Sequence, residues 1–416
     1  MGLHFPALRM EAERELDSLL SFWLTHVQDD AHGGFIGTIR YPLQPVPDAP
    51  KALVLHARIL WTFSAAYRLK PDARYAAFAD RAFAYLEASF RDRLHGGYYW
   101  ELHADGTPSV PDKRIYGQSF ALYGLSEYYR AFGKPGALDA AISLFELLEQ
   151  RCADVEHGGY LEVFARDWTH TPVTRRLHDS GRPYVVDKSM NAHLHMLEAY
   201  TCLYRVWPND ALRRQLTMLV FIVQERIVHP KTSRFVLFFD AAWQPLSAIE
   251  SYGHDIEGSW LLCEAAEMLG DAELTRDTSR TALRMAQATL AEGVDVDGGV
   301  FHEREPGRGL DTDKLWWPQA EAVVGFFNAY QWSGNRVYAE AALRTWRFIL
   351  TALKDREHGE WYWRVSREGN IYPEDPKTNA WKCPYHNGRA CMELIERLER
   401  LEQQPAEAPE SSPSGV

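Results

Sequence analysis

A doubled glycine keeps returning along this chain, and its spacing constrains the fold more than any other feature. His32-Gly-Gly-Phe-Ile-Gly is followed by His95-Gly-Gly-Tyr-Tyr-Trp, Glu156-His-Gly-Gly-Tyr-Leu, Asp297-Gly-Gly-Val-Phe and Glu357-His-Gly-Glu-Trp-Tyr-Trp. Lys231-Thr-Ser-Arg-Phe-Val-Leu-Phe-Phe lacks the glycines but fills the one gap. Each is a turn signal that leads into a short alternating, β-like run. The signals recur roughly every 60–75 residues, a period that marks a repeat architecture.

Between the signals lie pairs of helical patterns, among them Leu8–Gln28, Ala52–Leu69, Tyr116–Phe132, Ser189–Val206, Asp255–Leu269, Trp317–Trp332 and Asn387–Leu401. In the first, Leu8, Ala12, Leu16, Leu19, Leu20 and Leu24 share one face. Pro or Gly marks the seams, as at Pro71, Gly133, Pro208, Gly270 and Gly334. About twelve helices in six hairpins predict an all-α fold, a closed (α/α)6 barrel with short β-hairpin loops at the active-site mouth. An open solenoid is the alternative, but without polar capping repeats it would leave apolar faces bare at both ends. The second helix of each pair is apolar nearly all round, as in Tyr116-Gly-Gln-Ser-Phe-Ala-Leu-Tyr-Gly-Leu, and is read as the inner one. The barrel is expected to span residues 1–402 as one catalytic domain, with a disordered Pro/Ser/Glu-rich tail over 403–416.

Several function classes drop out. A net charge of −12 gives no basic footprint for nucleic acid. Nothing in the chain is apolar over a long enough stretch to span a membrane, and the start lacks the apolar run of a signal peptide. Cys152, Cys202, Cys263, Cys383 and Cys391 are odd in number and scattered, which favours a reducing cytoplasm over a disulfide framework.

The starts of the inner helices face one mouth, and polar residues gather there. They bring Arg58, Tyr116, Asn191, His195, His254, Glu257, Trp317 and His386. His386 follows Pro384 at a helix start, in Trp381-Lys-Cys-Pro-Tyr-His-Asn-Gly-Arg389. His254 is placed the same way in Ser251-Tyr-Gly-His-Asp-Ile-Glu257. The positive end of the helix dipole lowers an imidazole's pKa, which suits a neutral base near pH 7. A lone histidine on an apolar helix is more often a hydrogen-bonded core residue, and His56 and His193 fit that description. Three histidines and a glutamate also suit Zn or Mn, but no short-spaced ligand motif is present. A glycosidase carboxylate pair is another rival, although this cluster is histidine-rich. Histidines around a sugar suit removal and return of the proton α to a carbonyl. One base gives an aldose–ketose exchange, and two bases on opposite faces invert C2, with Arg58 a suitable partner for the enediolate oxygen.

At these residues the chain resembles the N-acylglucosamine 2-epimerase family, and within it most closely the enzymes that epimerise cellobiose. The matching stretches are Lys51–Tyr67, Tyr116–Tyr128, Asp187–Tyr200, Ser251–Leu262, Trp316–Ala322 and Trp381–Arg389. The resemblance implies an (α/α)6 barrel, no metal and no cofactor. It also implies reversible C2 epimerisation at the reducing-end glucose of β-1,4-linked disaccharides. It casts His386 and His254 as the acid/base pair, with His195 and Glu257 assisting and Arg58 holding the enediolate oxygen. Tyr116, Asn191 and Glu303 would bind hydroxyls, while Trp317 and Trp381 stack on the sugars. The expected partner is a disaccharide, and the chain is expected as a monomer or weak homodimer. A monosaccharide 2-epimerase, an aldose–ketose isomerase and a non-catalytic sugar-binding protein remain the alternatives.

Overall fold

A computed structural model describes residues 5–176 and 183–403. Twelve helices occur among these residues: α1 (Phe5–His26), α2 (Leu53–Leu69), α3 (Ala73–Tyr85), α4 (Ile115–Phe132), α5 (Pro135–Arg151), α6 (Met190–Val206), α7 (Asp210–Ile222), α8 (Tyr252–Leu269), α9 (Ala272–Glu292), α10 (Trp316–Ser333), α11 (Arg336–Phe348) and α12 (Tyr385–Gln403). The even-numbered helices form the inner ring, each packed on the next, and α12 returns to α2. The odd-numbered helices pack outside them. This is the expected closed α/α barrel, and the second helix of each pair is the inner one. Gln403 is still helical, so the expected tail from 403 begins one residue too early, and 404–416 lie outside the described residues. No described helix is long and apolar enough to cross a membrane. All five cysteines are buried and free.

Short strands complete the ring. The strand entering each inner helix pairs antiparallel with the strand of the next repeat: Lys51–Ala52 with Glu101–Leu102, Lys113–Arg114 with Val163–Phe164, and so on. The last of these joins Pro376–Thr378 back to Ile39–Arg40 of the first repeat. An open solenoid has no such seam. The pairing also explains why several inner helices begin without a side-chain cap. Their first N–H groups donate to a carbonyl of the next hairpin instead: Leu53 to Trp100 (3.0 Å), Ile115 to Glu162 (2.9 Å) and Trp316 to Trp363 (3.0 Å). Without a local capping signal, the helix starts expected at Asp255 and Asn387 come too late in the chain. The helices begin at Tyr252 and Tyr385.

The doubled glycines sit where a side chain cannot. Gly97 has φ +66°, and a Cβ there would lie 2.7 Å from the Trp168 ring and 2.9 Å from Gln118 Oε1. That close approach lets Gln118 accept the N–H of Tyr98 (2.9 Å). Equivalent captures recur around the ring: Phe35 N–H to His56 Nε2 (3.2 Å), Tyr160 to His193 Nε2 (3.0 Å), Phe235 to Asp255 (2.7 Å) and Val300 to Gln319 (2.6 Å). His56 and His193 are thus core histidines that hold hairpins.

Below five of the six hairpins a buried lysine meets a turn aspartate. The pairs are Lys51–Asp29 (2.7 Å), Lys113–Asp92 (3.0 Å), Lys188–Asp154 (2.6 Å), Lys314–Asp295 (3.0 Å) and Lys377–Asp355 (2.8 Å). In the fourth repeat, the one without glycines, Arg234 supplies the cation to Asp255 (3.0 Å). Removing one partner of a buried pair costs about 3–5 kcal/mol. Lys377→Met, at the seam of the ring, should therefore lower the thermal midpoint by roughly 3–6 °C. A midpoint unchanged within one degree at equal scan rate would show that the pair contributes nothing.

Candidate active site

Residues from all six inner-helix starts open onto one cavity of about 210 Å³. Arg58, Tyr116, Asn191, His195, His254, Glu257, Trp317, Trp381 and His386 line it, joined by Leu315, Trp316 and Trp363. The sequence expectation named the first nine. The tenth residue, Glu303, is not in the lining. It lies on a strand opposite Ser251, whose hydroxyl is 2.7 Å from His254 Nδ1.

The imidazoles are held by one nitrogen each. His386 Nδ1 is 2.6 Å from Glu321 Oε1, and His195 Nδ1 is 2.9 Å from Glu198 Oε2. A carboxylate partner makes Nδ1 the protonated nitrogen, which leaves Nε2 as the basic atom. Trp317 lies beside two of the three rings, 4.6 Å from His254 and 5.7 Å from His386 between centroids. Arg58 donates to the Tyr116 hydroxyl (2.7 Å) and to the Trp381 carbonyl (3.2 Å). Around the cavity, Asn191 Oδ1, Trp316 Nε1 and Arg58 Nε are buried without partners. Unspent donors and acceptors in a lined cavity are what a polyhydroxylated ligand would satisfy.

The electrostatics depend on residues that sequence reasoning passed over. Arg389 is buried among three glutamates. It donates to Glu257 (2.8 Å) and Glu321 (2.7 Å), and pairs closely with Glu198 and the Tyr385 hydroxyl. Trp260 Nε1 donates to the second oxygen of Glu321 (3.0 Å). Burial pushes every carboxyl here upward. For Glu198 and Glu321 the Arg389 charge and the hydrogen bonds from His195 and His386 together outweigh it, and Glu321 is drawn down to about 2. Glu257 stays well above the usual carboxylate range, because burial and the neighbouring Glu321 charge outweigh Arg389. The shifts thus favour the carboxylate at Glu198 and Glu321 and the neutral carboxyl at Glu257.

Burial also pushes His386 down to about 3 against the opposing pull of Glu321. Burial and the nearby imidazoles hold His254 below its ordinary value, although it is the more solvent-accessible of the two. The expectation of bases poised near 7 through the helix dipole is thus corrected: burial dominates and carries the pKa values lower. The signal for Glu198 was local, three residues after His195. The signal for Glu321 was not, because its partner His386 lies 65 positions away.

Glu257, Glu321 and His386 also bring three ligand-type atoms within 4.8 Å of one another. Arg389 Nη2 already donates to an oxygen of each glutamate, and His386 Nδ1 is turned to Glu321. A guanidinium thus holds the position a divalent cation would need, so the donor set does not fit a metal.

Three comparisons bear on this geometry. The family model described as N-acylglucosamine 2-epimerase (GlcNAc 2-epimerase) matches residues 33–390. Cellobiose 2-epimerases of Bacteroides fragilis and Dictyoglomus turgidum are 43% and 38% identical to the chain. These alignments cover 93% and 95% of it and 98% and 100% of the relatives. The solved structure of cellobiose 2-epimerase from Bacillus thermoamylovorans superposes with a TM-score of 0.89 at 36% identity, covering 94% of this chain and all of that one.

The arginine-filled cluster should be indifferent to metal. The thermal midpoint should be the same after dialysis against EDTA and after addition of Zn²⁺ or Mn²⁺. A rise of several degrees with one ion, as binding to the folded state requires, would overturn this.

Proposed function

Because the chain belongs to the N-acylglucosamine 2-epimerase family and is a carbohydrate epimerase, an isomerase, we propose that it interconverts the C2 epimers at the reducing-end glucose of β-1,4-linked disaccharides such as cellobiose and lactose. The observation that carries this reading is the trio of imidazoles around one cavity, with His386 and His195 keeping Nε2 free as the basic atom. One histidine of the His254/His386 pair removes the C2 proton of the ring-opened sugar. The other returns a proton to the opposite face. Arg58, backed by the Tyr116 hydroxyl, offers permanent positive charge where the enediolate oxygen develops. Glu257, held as a neutral carboxyl, donates a hydrogen bond, and His195 orients the hydroxyl it meets. Asn191 binds a hydroxyl inside the cavity, and Glu303, on the strand beside Ser251, binds one that projects beyond the enclosed part. No metal enters these steps.

The disaccharide reading is supported by the names of the relatives at 43% and 38% identity. Trp381 supports it too: it is 44% exposed at the cavity lip, 5.9 Å from Tyr116, where a second ring would stack. A monosaccharide substrate is the second reading. The enclosed 210 Å³ is below the ~300–1,000 Å³ of pockets that bury larger ligands, and suits one ring. NMR of the products formed from cellobiose, lactose, glucose and mannose in D2O separates the two readings. A kcat/KM for mannose above that for cellobiose would overturn the first.

His386→Asn and His254→Asn should each lower epimerisation by ~10²–10⁴-fold, and the double variant by little more, because the two act as a unit. In D2O one single variant should exchange the C2 proton of cellobiose without inverting it. Near-normal epimerisation by both single variants would remove them as the base pair. The acidic limb of kcat/KM should also fall below the ordinary histidine value of about 6.5. The sign follows from the lowered pKa values: protonation abolishes a base, and a lowered pKa delays protonation as the pH falls. Half-loss of kcat/KM at or above pH 6.5 would contradict the assignment.

A further inference from the structure

The far end of the barrel, where the inner helices finish, encloses a second cavity of about 570 Å³. It contains no histidine, and five arginines and five glutamates line it. We propose that this cavity is a second binding site, for a small neutral polyol such as a mono- or disaccharide, separate from the histidine cavity. The inference rests on this lining alone and stands apart from the reaction proposed at the other end.

The charges sum to zero, and they are paired across the wall: Arg205 with Glu264 (2.8 Å), Arg397 with Glu393 (2.8 Å) and Arg68 with Glu396 (2.9 Å). A free anion or cation would have to break such a pair and strand its partner. A hydroxyl need not, since it accepts from the guanidinium while donating to the carboxylate beside it. Vicinal hydroxyls repeat that option at a spacing that suits adjacent charged groups. The apolar part of the wall is aromatic, and sugar C–H faces pack on aromatic rings. Trp61 stacks on Tyr123 with centroids 5.1 Å apart, and Trp332 lines the rim. Trp61 is only 7% exposed, and its Nε1 has no hydrogen-bond partner. An indole N–H is a donor only, so what it lacks is an acceptor.

The floor of this cavity is also the back of the other. Trp260 lines the far cavity, carries Arg397 at 6.0 Å and Arg389 at 4.7 Å from its ring, and donates to Glu321. A sugar bound here would sit behind the carboxylate that orients His386.

The test uses the full chain labelled with ¹⁵N at its tryptophan indoles and titrated with methyl β-cellobioside. The blocked anomeric carbon keeps this probe from opening and being turned over. Single Trp→Phe replacements assign the signals. Two groups of signals should shift, Trp317 with Trp381 and Trp61 with Trp332. In Trp381→Ala, a change at a half-exposed position, the Trp317 signal should lose its response while the second group keeps its own. In the double variant Arg205→Met/Glu264→Met, which removes a pair together and strands no charge, the pattern should reverse. Shifts confined to Trp317 and Trp381 at saturation would overturn the proposal. So would far-end shifts that vanish in Trp381→Ala, since those would be transmitted from the mouth, or far-end shifts that survive the double replacement.

Discussion

Five of the six hairpins at the mouth are each fastened by one buried side chain of an inner helix that accepts a hairpin N–H, and the rest of the structure follows from that fastening. A hairpin of two or three residues per strand has little stability of its own. Pinned by His56, Gln118, His193, Asp255 or Gln319, it can present a carbonyl to the first turn of the preceding inner helix. That contact sets where the helix begins, and so which residue of its first two turns faces the cavity. The fastening also accounts for the glycines. In the first three turns the second glycine is small because the accepting side chain and an aromatic ring come within van der Waals distance of its backbone. In the last repeat Glu360 takes that place at φ +60°, and its carboxylate is engaged by Lys382 and Asn387.

The repeat was legible because glycine punctuation survives in five of its six copies. The cavity residues were legible as chemistry: histidines, an arginine and an asparagine are conspicuous at the starts of helices that are otherwise apolar. What could not be read was the set of partners. Glu321 stands between Ala320 and Ala322 in a helix buried on every side, and nothing near it in the chain hints at His386. Arg389 lay inside a stretch already singled out, yet its role depends on glutamates from three other helices. Glu303 shows the converse. It was named on resemblance, and its strand sets it beside the cavity wall rather than in it.

The cluster around Arg389 shows what burial does to a polar site. A single guanidinium cannot neutralise three carboxylates, and in a low-dielectric interior the excess charge drives the Glu257 carboxyl toward its protonated form. The remaining carboxylates then have fixed tasks, Glu198 on His195 and Glu321 on His386. The imidazoles are oriented by groups that never reach the cavity, so their ring positions are as rigid as the barrel core.

The seam between Ile39–Arg40 and Pro376–Thr378 has a kinetic consequence. It joins segments more than three hundred positions apart, so with the packing of α1 on α12 it carries a high loop-closure entropy. During synthesis the first five hairpins can stack on one another as they emerge, but the flank of α2 has no neighbour until α12 arrives. That apolar flank stays open to other nascent chains for nearly the whole of translation, when aggregation competes with folding. His386 lies just past the seam, on the helix that closes the ring. A chain that stalls before its last repeat therefore lacks both its closure and the imidazole that Glu321 holds at the cavity.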